Sequence, residues 1–417
     1  MKRIKVLHLG YSDNYGGASI AMTRINEALF LSEQIDSKIA TITNASKEGT
    51  ISLNFTFCDK LWSYLRVRIA YKLVRYLQKT NNNSGRSINF FPSSVVRRLS
   101  KMEFDILHLH WIGNETIRLE DLLKINKPIV WTFHDKWALL GSEHTEIEDT
   151  KRFIEGYSKF NKPKSTKGID IDNWTWKRKK KIFSKIKIYP VVVSSWLCDE
   201  TKKSFLWKRS SPQIIANPIK VHSWELMNRI ECKAKLDIPM NNKVVVFGAV
   251  NGFTDRLKGY DNLEKAILYA SKLMSTEKFT LLVFGDSSLK KINLSDNVEL
   301  RSIGKINDVN LLNTIYCAAD LVVVSSYFET FGQVAVESIS CGVPVVAFKT
   351  SGLIDILIDK FNGLLCEPFC TKDMGDKIIL ALNLNWDSMA MRKNIDTRFG
   401  YIHIAKKYES LYKEIME

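Results

Sequence analysis

The stretch Asp320–Ala347, DLVVVSSYFETFGQVAVESISCGVPVVA, constrains the chain more than any other. Leu321 to Val324 is a short Val-rich run bounded by polar residues, which predicts a buried parallel strand. Ser325 to Phe331 reads as a loop. Gly332 opens a helical stretch that stops near Cys341-Gly342, since glycine ends helices. Val343 to Ala347 is the next strand, with Pro344 at its start. A strand–loop–helix–strand unit of this kind belongs to an open α/β sheet. Its loop lies at the carboxyl end of a strand, where such sheets take their ligands.

Two carboxylates stand eight residues apart in this unit, Glu329 on the loop and Glu337 in the second helical turn. Between them the helix N-terminus offers unpaired N–H groups and a partial positive charge, with Gly332 free of a side chain. That is a site suited to phosphate. A carboxylate one turn further on can accept both hydroxyls of a ribose, and one on the loop can accept hydroxyls of a second sugar. Phosphate flanked by two hydroxyl acceptors describes a nucleotide-sugar. Spacing alone equally admits a solvent-facing loop Glu and a helix-surface Glu.

At 417 residues the chain has room for two domains of roughly 200 residues each. No run reaches eighteen apolar residues, so no transmembrane helix is expected. The basic-then-apolar start MKRIKVLHLG is too short for a signal peptide and enters a Gly-Gly turn, so it reads as the first strand. Seven scattered cysteines without CxxC spacing fit a reduced, cytoplasmic protein. The net charge of +16 calls for an anionic partner: phosphates, a membrane surface or nucleic acid.

In the first half, Ile4 to Leu9 is a strand and Gly16-Gly17 closes the loop before a helix from Ala18. The loop lacks the full GxGxxG, so it says nothing for a dinucleotide. Leu61 to Lys79 predicts an amphipathic helix. At about 100° per residue, Arg68, Lys72, Arg75 and Lys79 fall within a sector of about 60°, and Trp62, Ile69, Leu73, Tyr76 and Leu77 cover the other side, with Arg66 out of pattern. Such a helix either packs on its own domain with a solvated basic face or docks on an anionic membrane. His108 and His110 share one face of a strand over Phe104 to Trp111 and read as core or cleft lining, with no carboxylate or Cys partner in sequence to suggest a metal. His134-Asp135 lies just past the strand Pro128 to His134. Glu143 to Trp176 reads as a polar loop, and its Asp170-Ile171-Asp172 as a solvated part of it. Lys177, Arg178, Lys179, Lys180, Lys181, Lys185 and Lys187 form a second basic patch. The first half ends at the strand Pro190 to Ser195 and the linker Ile215 to Ile219, stiffened by Pro218.

The second half opens on a buried strand from Lys243. The loop Asn251 to Gly259, NGFTDRLKG, follows it and carries Arg256 and Lys258. From that place a Lys or Arg can reach a phosphate held at the Gly332 helix across neighbouring strand ends. An exposed loop Lys is the plainer alternative.

The stretch from Ala318 to Leu365 resembles the donor-site signature of glycosyltransferase family 4, retaining enzymes of the GT-B fold. The likeness rests on the E-x7-E pattern at Glu329 and Glu337, the small-Gly-x-Pro-Val-Val strand, the turn at Ser351-Gly352 and the Asn-Gly-Leu-Leu segment at Asn362. Ser325-Ser326 stands where the family commonly has Pro-Ser. The resemblance implies that Glu337 binds the ribose and Glu329 the donor sugar. It implies that Lys258, with Arg256 near the family's partner Arg, holds the diphosphate. It places Phe331, Gly332 and Gln333, with Gly16 and Gly17 of the first half, among the donor-binding residues, and His134 against the sugar. No cofactor and no metal are implied.

The expected fold is α/β: GT-B, two doubly wound Rossmann-like domains facing across a cleft. Residues 1–215 form the acceptor-side domain, 222–395 the nucleotide-sugar-binding domain, and 396–417 a helix that can cross back. The expected activity is transfer of a sugar, with retention, from a nucleotide-sugar to a hydroxyl of a glycan. The first half is the basic half, so a lipid-linked oligosaccharide on an anionic membrane surface is the natural acceptor. That makes the protein cytoplasmic, peripheral on the inner face of the cell membrane, and suits bacterial surface-polysaccharide synthesis. A nucleotide-sugar epimerase of similar fold and a nucleic-acid-binding protein using the basic patches stay as alternatives. The lack of paired aromatic and basic motifs argues against nucleic acid.

Overall fold

The computed structural model describes residues 3–14, 16–43, 49–54, 56–82, 84–146, 151–286 and 291–417. The chain divides into two compact units, Met1–Pro218 with Ile404–Glu417, and Ile219–His403.

The first unit is built on seven parallel strands: β1 Ile4–Gly10, β2 Ile35–Thr41, β3 Ile51–Ser52, β4 Ile106–Leu109, β5 Ile129–Phe133, β6 Ile188–Val192 and β7 Gln213–Ile214. Their order is β3-β2-β1-β4-β5-β6-β7. The winding reverses beside β1, so the crevice between the carboxyl ends of β1 and β4 is the switch point of this sheet. Every residue of β4 and β5 is buried, as covering a parallel sheet on both faces requires.

Helix α1, Gly17–Leu29, follows β1. Helix α2, Phe57–Leu77, starts at a capping box in which the Thr56 hydroxyl accepts from Asp59 N–H at 3.1 Å and the Asp59 carboxylate accepts from Thr56 N–H at 3.3 Å. Lys79 is not on this helix. It lies in a two-residue strand that pairs with Lys167. The stripe that α2 buries is narrow: Ser63, Arg66, Ala70 and Val74.

The expectation of a loop from Glu143 to Trp176 is corrected. Residues 147–150 lie outside the described residues; beyond them Phe160 and Ile169 are exposed, but Phe153, Tyr157, Ile171 and Trp176 are buried. Helix α3 runs Ile171–Phe183, capped by Asp170, whose carboxylate accepts from Asn173 N–H and pairs with Arg152. Asp172 is buried among Gln78, Arg86 and Ser142. Neither Asp is solvated, because each satisfies groups that would otherwise be buried unpaired. The second basic patch also shrinks. Lys179 is wholly buried on the carbonyls of Trp137, Leu140 and Gly141, and Arg178 is paired with Glu120.

The second unit repeats the plan with β8 Lys243–Gly248, β9 Phe279–Phe284, β10 Lys291–Ser295, β11 Val298–Gly304, β12 Leu321–Val324, β13 Val345–Phe348 and β14 Gly363–Cys366. The order is β10-β11-β9-β8-β12-β13-β14, and only β10 is antiparallel to its neighbour. Here the switch point falls between β8 and β12. Val245, Leu281, Val323 and Val346 fill the core behind it. Helix α4, Gln333–Ser340, follows β12.

The last helix, α5, spans Tyr401–Met416. From Ile404 on it belongs to the first unit, where Ile404, Tyr408, Leu411 and Tyr412 share a core with Val6, Ile25, Ile106 and Val130. The Tyr412 hydroxyl lies 2.7 Å from His108 Nδ1, and that of Tyr408 3.2 Å from Thr132 Oγ1. Tyr412→Ala removes a buried ring and strands His108. We expect it to lower the stability of the first unit by about 3–5 kcal/mol, while the second unit unfolds as before. Calorimetry resolving two transitions checks this, and equal displacement of both would count against it.

Candidate active site

In the second unit, the loops after β8 and β12 meet at the switch point. Gly259 has φ +70°, and a Cβ there would collide with the Ser325 carbonyl, so glycine is required. Ser325 Oγ donates to the Gly259 carbonyl at 2.8 Å, and Tyr327 N–H to the Leu257 carbonyl at 2.9 Å. These contacts bring Lys258 Nζ to 2.8 Å from Glu329 Oε1. Ser326 Oγ donates to the same oxygen at 2.8 Å. Oε2 of Glu329 has no hydrogen-bond partner among the described residues. Glu329 raises the pKa of Lys258 above its ordinary value against the opposing effect of burial. Both side chains stay reachable from solvent, at 28% and 22% exposure.

The backbone of Glu329 is held from a third segment. Its N–H donates to Ser351 Oγ at 2.8 Å, and its carbonyl accepts from Gly352 N–H at 2.9 Å. Ser351 has φ +52°, a left-handed conformation uncommon for Ser. Gly332, φ +114°, caps α4. A Cβ there would lie 2.8 Å from Leu353 Cδ2. Gln333 is half-buried at the start of the helix. Phe331 is buried and packs edge-on against Phe399 at 5.5 Å. Glu337 is no surface residue either. It is 7% exposed and accepts from the Tyr316 hydroxyl at 3.1 Å. Arg256 is exposed, and its side chain has no partner among the described residues, so it does not join the Lys258–Glu329 pair.

Gly16, Gly17 and His134 belong to the first unit. Gly16, φ +84°, precedes α1 and has open space around its α-carbon. His134 follows β5 and ends a chain of imidazoles. Register pairs His8 with His108 across β1 and β4. Ser37 Oγ donates to Asn26 Oδ1 at 2.7 Å and so accepts from His8 Nε2 at 3.0 Å. Burial pushes the His8 pKa down to about 3, so the ring is neutral and its Nδ1 accepts from His110 Nε2 at 2.8 Å. Burial likewise holds His110 neutral, and its Nδ1 accepts from His134 Nε2 at 3.0 Å. His134, lowered to about 4 by burial against the opposing charge of Asp135, therefore keeps its proton on Nε2 and its lone pair on Nδ1.

The six ring nitrogens of His8, His108 and His110 include one from each residue that lie within 4.8 Å of one another. All six are bonded to protein groups, Ser37, Thr132, Tyr412 and His134 among them. A metal ion there would have to displace those bonds.

Residues 229–398 match the family described as glycosyl transferases group 1. The matched residues make up most of the second unit. A relative is the glycogen synthase of Mycoplasma mobile, 28% identical over 206 residues, covering 45% of this chain and 42% of the relative. The chain spans less than half the length of the first curated relatives it matches. Among solved structures, Anabaena HepE in complex with UDP and glucose aligns with a TM-score of 0.64 at 15% identity, over 99% of this chain and 100% of the other. WaaG, a glycosyltransferase involved in lipopolysaccharide biosynthesis, aligns at 0.55 and 14% identity, over 96% and 95%. At these identities the likeness speaks for the fold, which is GT-B.

Sequence reasoning missed the hydroxyls of Ser326 and Ser351, which position Glu329. The Ser351-Gly352 turn was its only signal. It also missed His8, which strand register alone connects to His134. The imidazoles have a measurable consequence. Their folded pKa values lie below 6.5, so the unfolded chain takes up protons first as pH falls. Their contribution to stability is complete above about 6.5 and is lost toward about 4. The first unit's unfolding temperature should fall over that window. A transition that stays level from pH 7 to pH 4.5 would overturn this linkage.

Proposed function

We propose that the protein is a retaining glycosyltransferase that moves a sugar from a nucleotide-sugar to a hydroxyl of a lipid-linked glycan, in synthesis of a bacterial surface polysaccharide. The observation that carries the reading is the Lys258–Glu329 pair at the switch point of a group 1 domain, beside the glycine-capped N-terminus of α4. The HepE complex with UDP and glucose supports a nucleotide-sugar, and the involvement of WaaG in lipopolysaccharide biosynthesis supports a surface glycan.

Each group has a task in this reading. The ammonium of Lys258 carries three N–H bonds, so it can hold Glu329 and a phosphate oxygen together. The first N–H groups of α4 add their partial charge to the same phosphate. Glu329 Oε2 accepts a hydroxyl of the transferred sugar, and Glu337 reads the ribose. His134 contacts the transferred sugar. As the bond between sugar and diphosphate breaks, negative charge grows on the phosphate, and the contact to Lys258 strengthens.

Lys258→Ala should lower kcat by roughly 10²–10³, with a smaller loss in donor binding. Glu337→Ala should weaken binding of the free nucleoside diphosphate by about 10–100-fold, allowing for water replacing part of the lost contact. Glu329→Ala should leave that binding near normal while transfer collapses. Calorimetry with the nucleoside diphosphate, beside turnover of the sugar donor, separates the roles. Equal loss of diphosphate binding in both Glu variants sinks the division.

Helix α2 supports the membrane part. Outside its buried stripe, Leu61, Leu65, Ile69 and Leu73 recur at every fourth residue, each 38–45% exposed. Arg68, Lys72 and Arg75 border them, also exposed. An apolar stripe beside a basic row suits an anionic bilayer surface. Among the described residues no helix is long and apolar enough to cross a membrane. Sedimentation with anionic vesicles should pull the protein down, less so at high salt. Leu65→Ser with Ile69→Ser should release it. Equal binding to neutral vesicles, or retention by that double variant, would refute the docking.

A further inference from the structure

The first unit contains a pocket of about 460 Å³, within the range of small-molecule sites. One wall is α2 and the other is the loop after β4, so the pocket opens beside the carboxyl end of a switch-point strand. Going round α2 at about 100° per residue, the basic row lies between the exposed apolar stripe and the pocket wall formed by Val67, Ala70 and Tyr71. Arg68, Lys72 and Arg75 all line the pocket. None of the three has a carboxylate partner among the described residues. Arg68 lies over the Tyr64 ring at 4.1 Å, and Arg75 Nη1 is 3.5 Å from the Tyr71 hydroxyl. Arg86, the fourth cation of the lining, is neutralised by Asp172 at 3.2 Å.

The same lining includes a carboxylate. Glu115 lines the pocket and is 1% exposed. Its Oε2 accepts from Phe90 N–H at 2.7 Å and Phe91 N–H at 2.9 Å, while its Oε1 is buried with no partner. Buried polar atoms in folded proteins are rarely left so. The backbone there is strained, with Asn114 at φ +51° and Glu115 at φ +56°. It is pinned by Ser87 Oγ, which accepts from Asn114 N–H at 2.9 Å and is itself tied to His144 at 2.8 Å, with Asp135 2.6 Å beyond. Strain that neighbours hold in place this firmly is a mark of a ligand site. Buried Arg66, with Nε and Nη1 unbonded, interacts electrostatically with Glu115.

We propose that this pocket seats an acidic saccharide, whose phosphate or carboxylate lies on the Arg68–Lys72–Arg75 row and whose hydroxyl donates to Glu115 Oε1. The inference deepens the acceptor side of the proposed function and rests on that reading for its role. It says that the acceptor's recognised portion carries negative charge. A free acidic sugar and the phosphate of a lipid carrier present the same chemistry, and the test separates them.

Calorimetry on the full chain, without vesicles, should show glucose 1-phosphate and glucuronate binding at least 10-fold more tightly than glucose, and more tightly than inorganic phosphate. Lys72→Glu with Arg75→Glu should cost both acidic sugars at least 10-fold. Glu115→Gln should weaken the acidic sugars and leave inorganic phosphate unchanged. Leu65→Ser with Ile69→Ser should lose vesicles yet keep glucose 1-phosphate. Equal affinity for glucose and glucose 1-phosphate overturns the proposal, as does indifference to the Lys72/Arg75 reversal, or loss of the sugar phosphate with the apolar stripe. Nucleoside diphosphate binding should survive in every one of these variants. Its absence from the parent chain would sink the donor reading while the pocket's own result stood.

Discussion

A missing side chain at position 259 decides how the second unit's site is put together. Parallel strands deliver their loops to one edge of the sheet, but the loops after β8 and β12 close on each other only because Gly259 lets the Ser325 carbonyl approach its α-carbon. Once they close, Ser325 and Tyr327 tie the two segments, and Lys258 and Glu329 are within ion-pair distance without either needing a long reach. Ser351 and Gly352 then fix Glu329 from the β13 side. Glu329 is held by side-chain and backbone contacts from three strand ends, so its placement belongs to the sheet rather than to a flexible loop.

That dependence explains what could be read from the chain. The run Asp320–Ala347 announces strand, loop, helix and strand through local signals: Val content, Gly332, Gly342 and Pro344. Glu329 and Glu337 stand out because their spacing straddles a helix start. Their environments are not local. Whether Glu337 faces solvent or Tyr316 depends on a helix twenty-one residues earlier in the chain, and the burial of Phe331 depends on Phe399. The same holds for Asp170 and Asp172. Polar, weakly periodic sequence around them suggested a solvated loop, but Gln78 and Arg86 arrive from a distant segment to bury Asp172, and Arg152 pairs with half-buried Asp170.

The histidines show the reverse case, in which register carries the information. His8 on one strand and His108 and His110 along another look ordinary. The parallel pairing of β1 with β4 places His8 opposite His108, and the stagger brings His8 Nδ1 to His110 Nε2. Because each ring is too buried to hold a second proton, the hydrogen bond at Ser37 dictates the tautomer of every ring as far as His134. A group at the strand end is thereby oriented by residues whose own positions give no sign of function.

Helix α2 divides in a way that periodicity alone cannot settle. An apolar arc and a basic arc normally mean that the apolar arc is inside. Here the buried arc is Ser63, Arg66, Ala70 and Val74, small residues and one Arg, so the helix lies close to its own unit and its Leu and Ile side chains point away. Small residues in the contact permit that close approach, and the charge of Glu115 opposes part of the desolvation that Arg66 meets there. The outward apolar arc and the pocket wall are then two sides of one helix, divided by one row of cations. A bilayer covering the first would bring its anionic surface to the rim of the second.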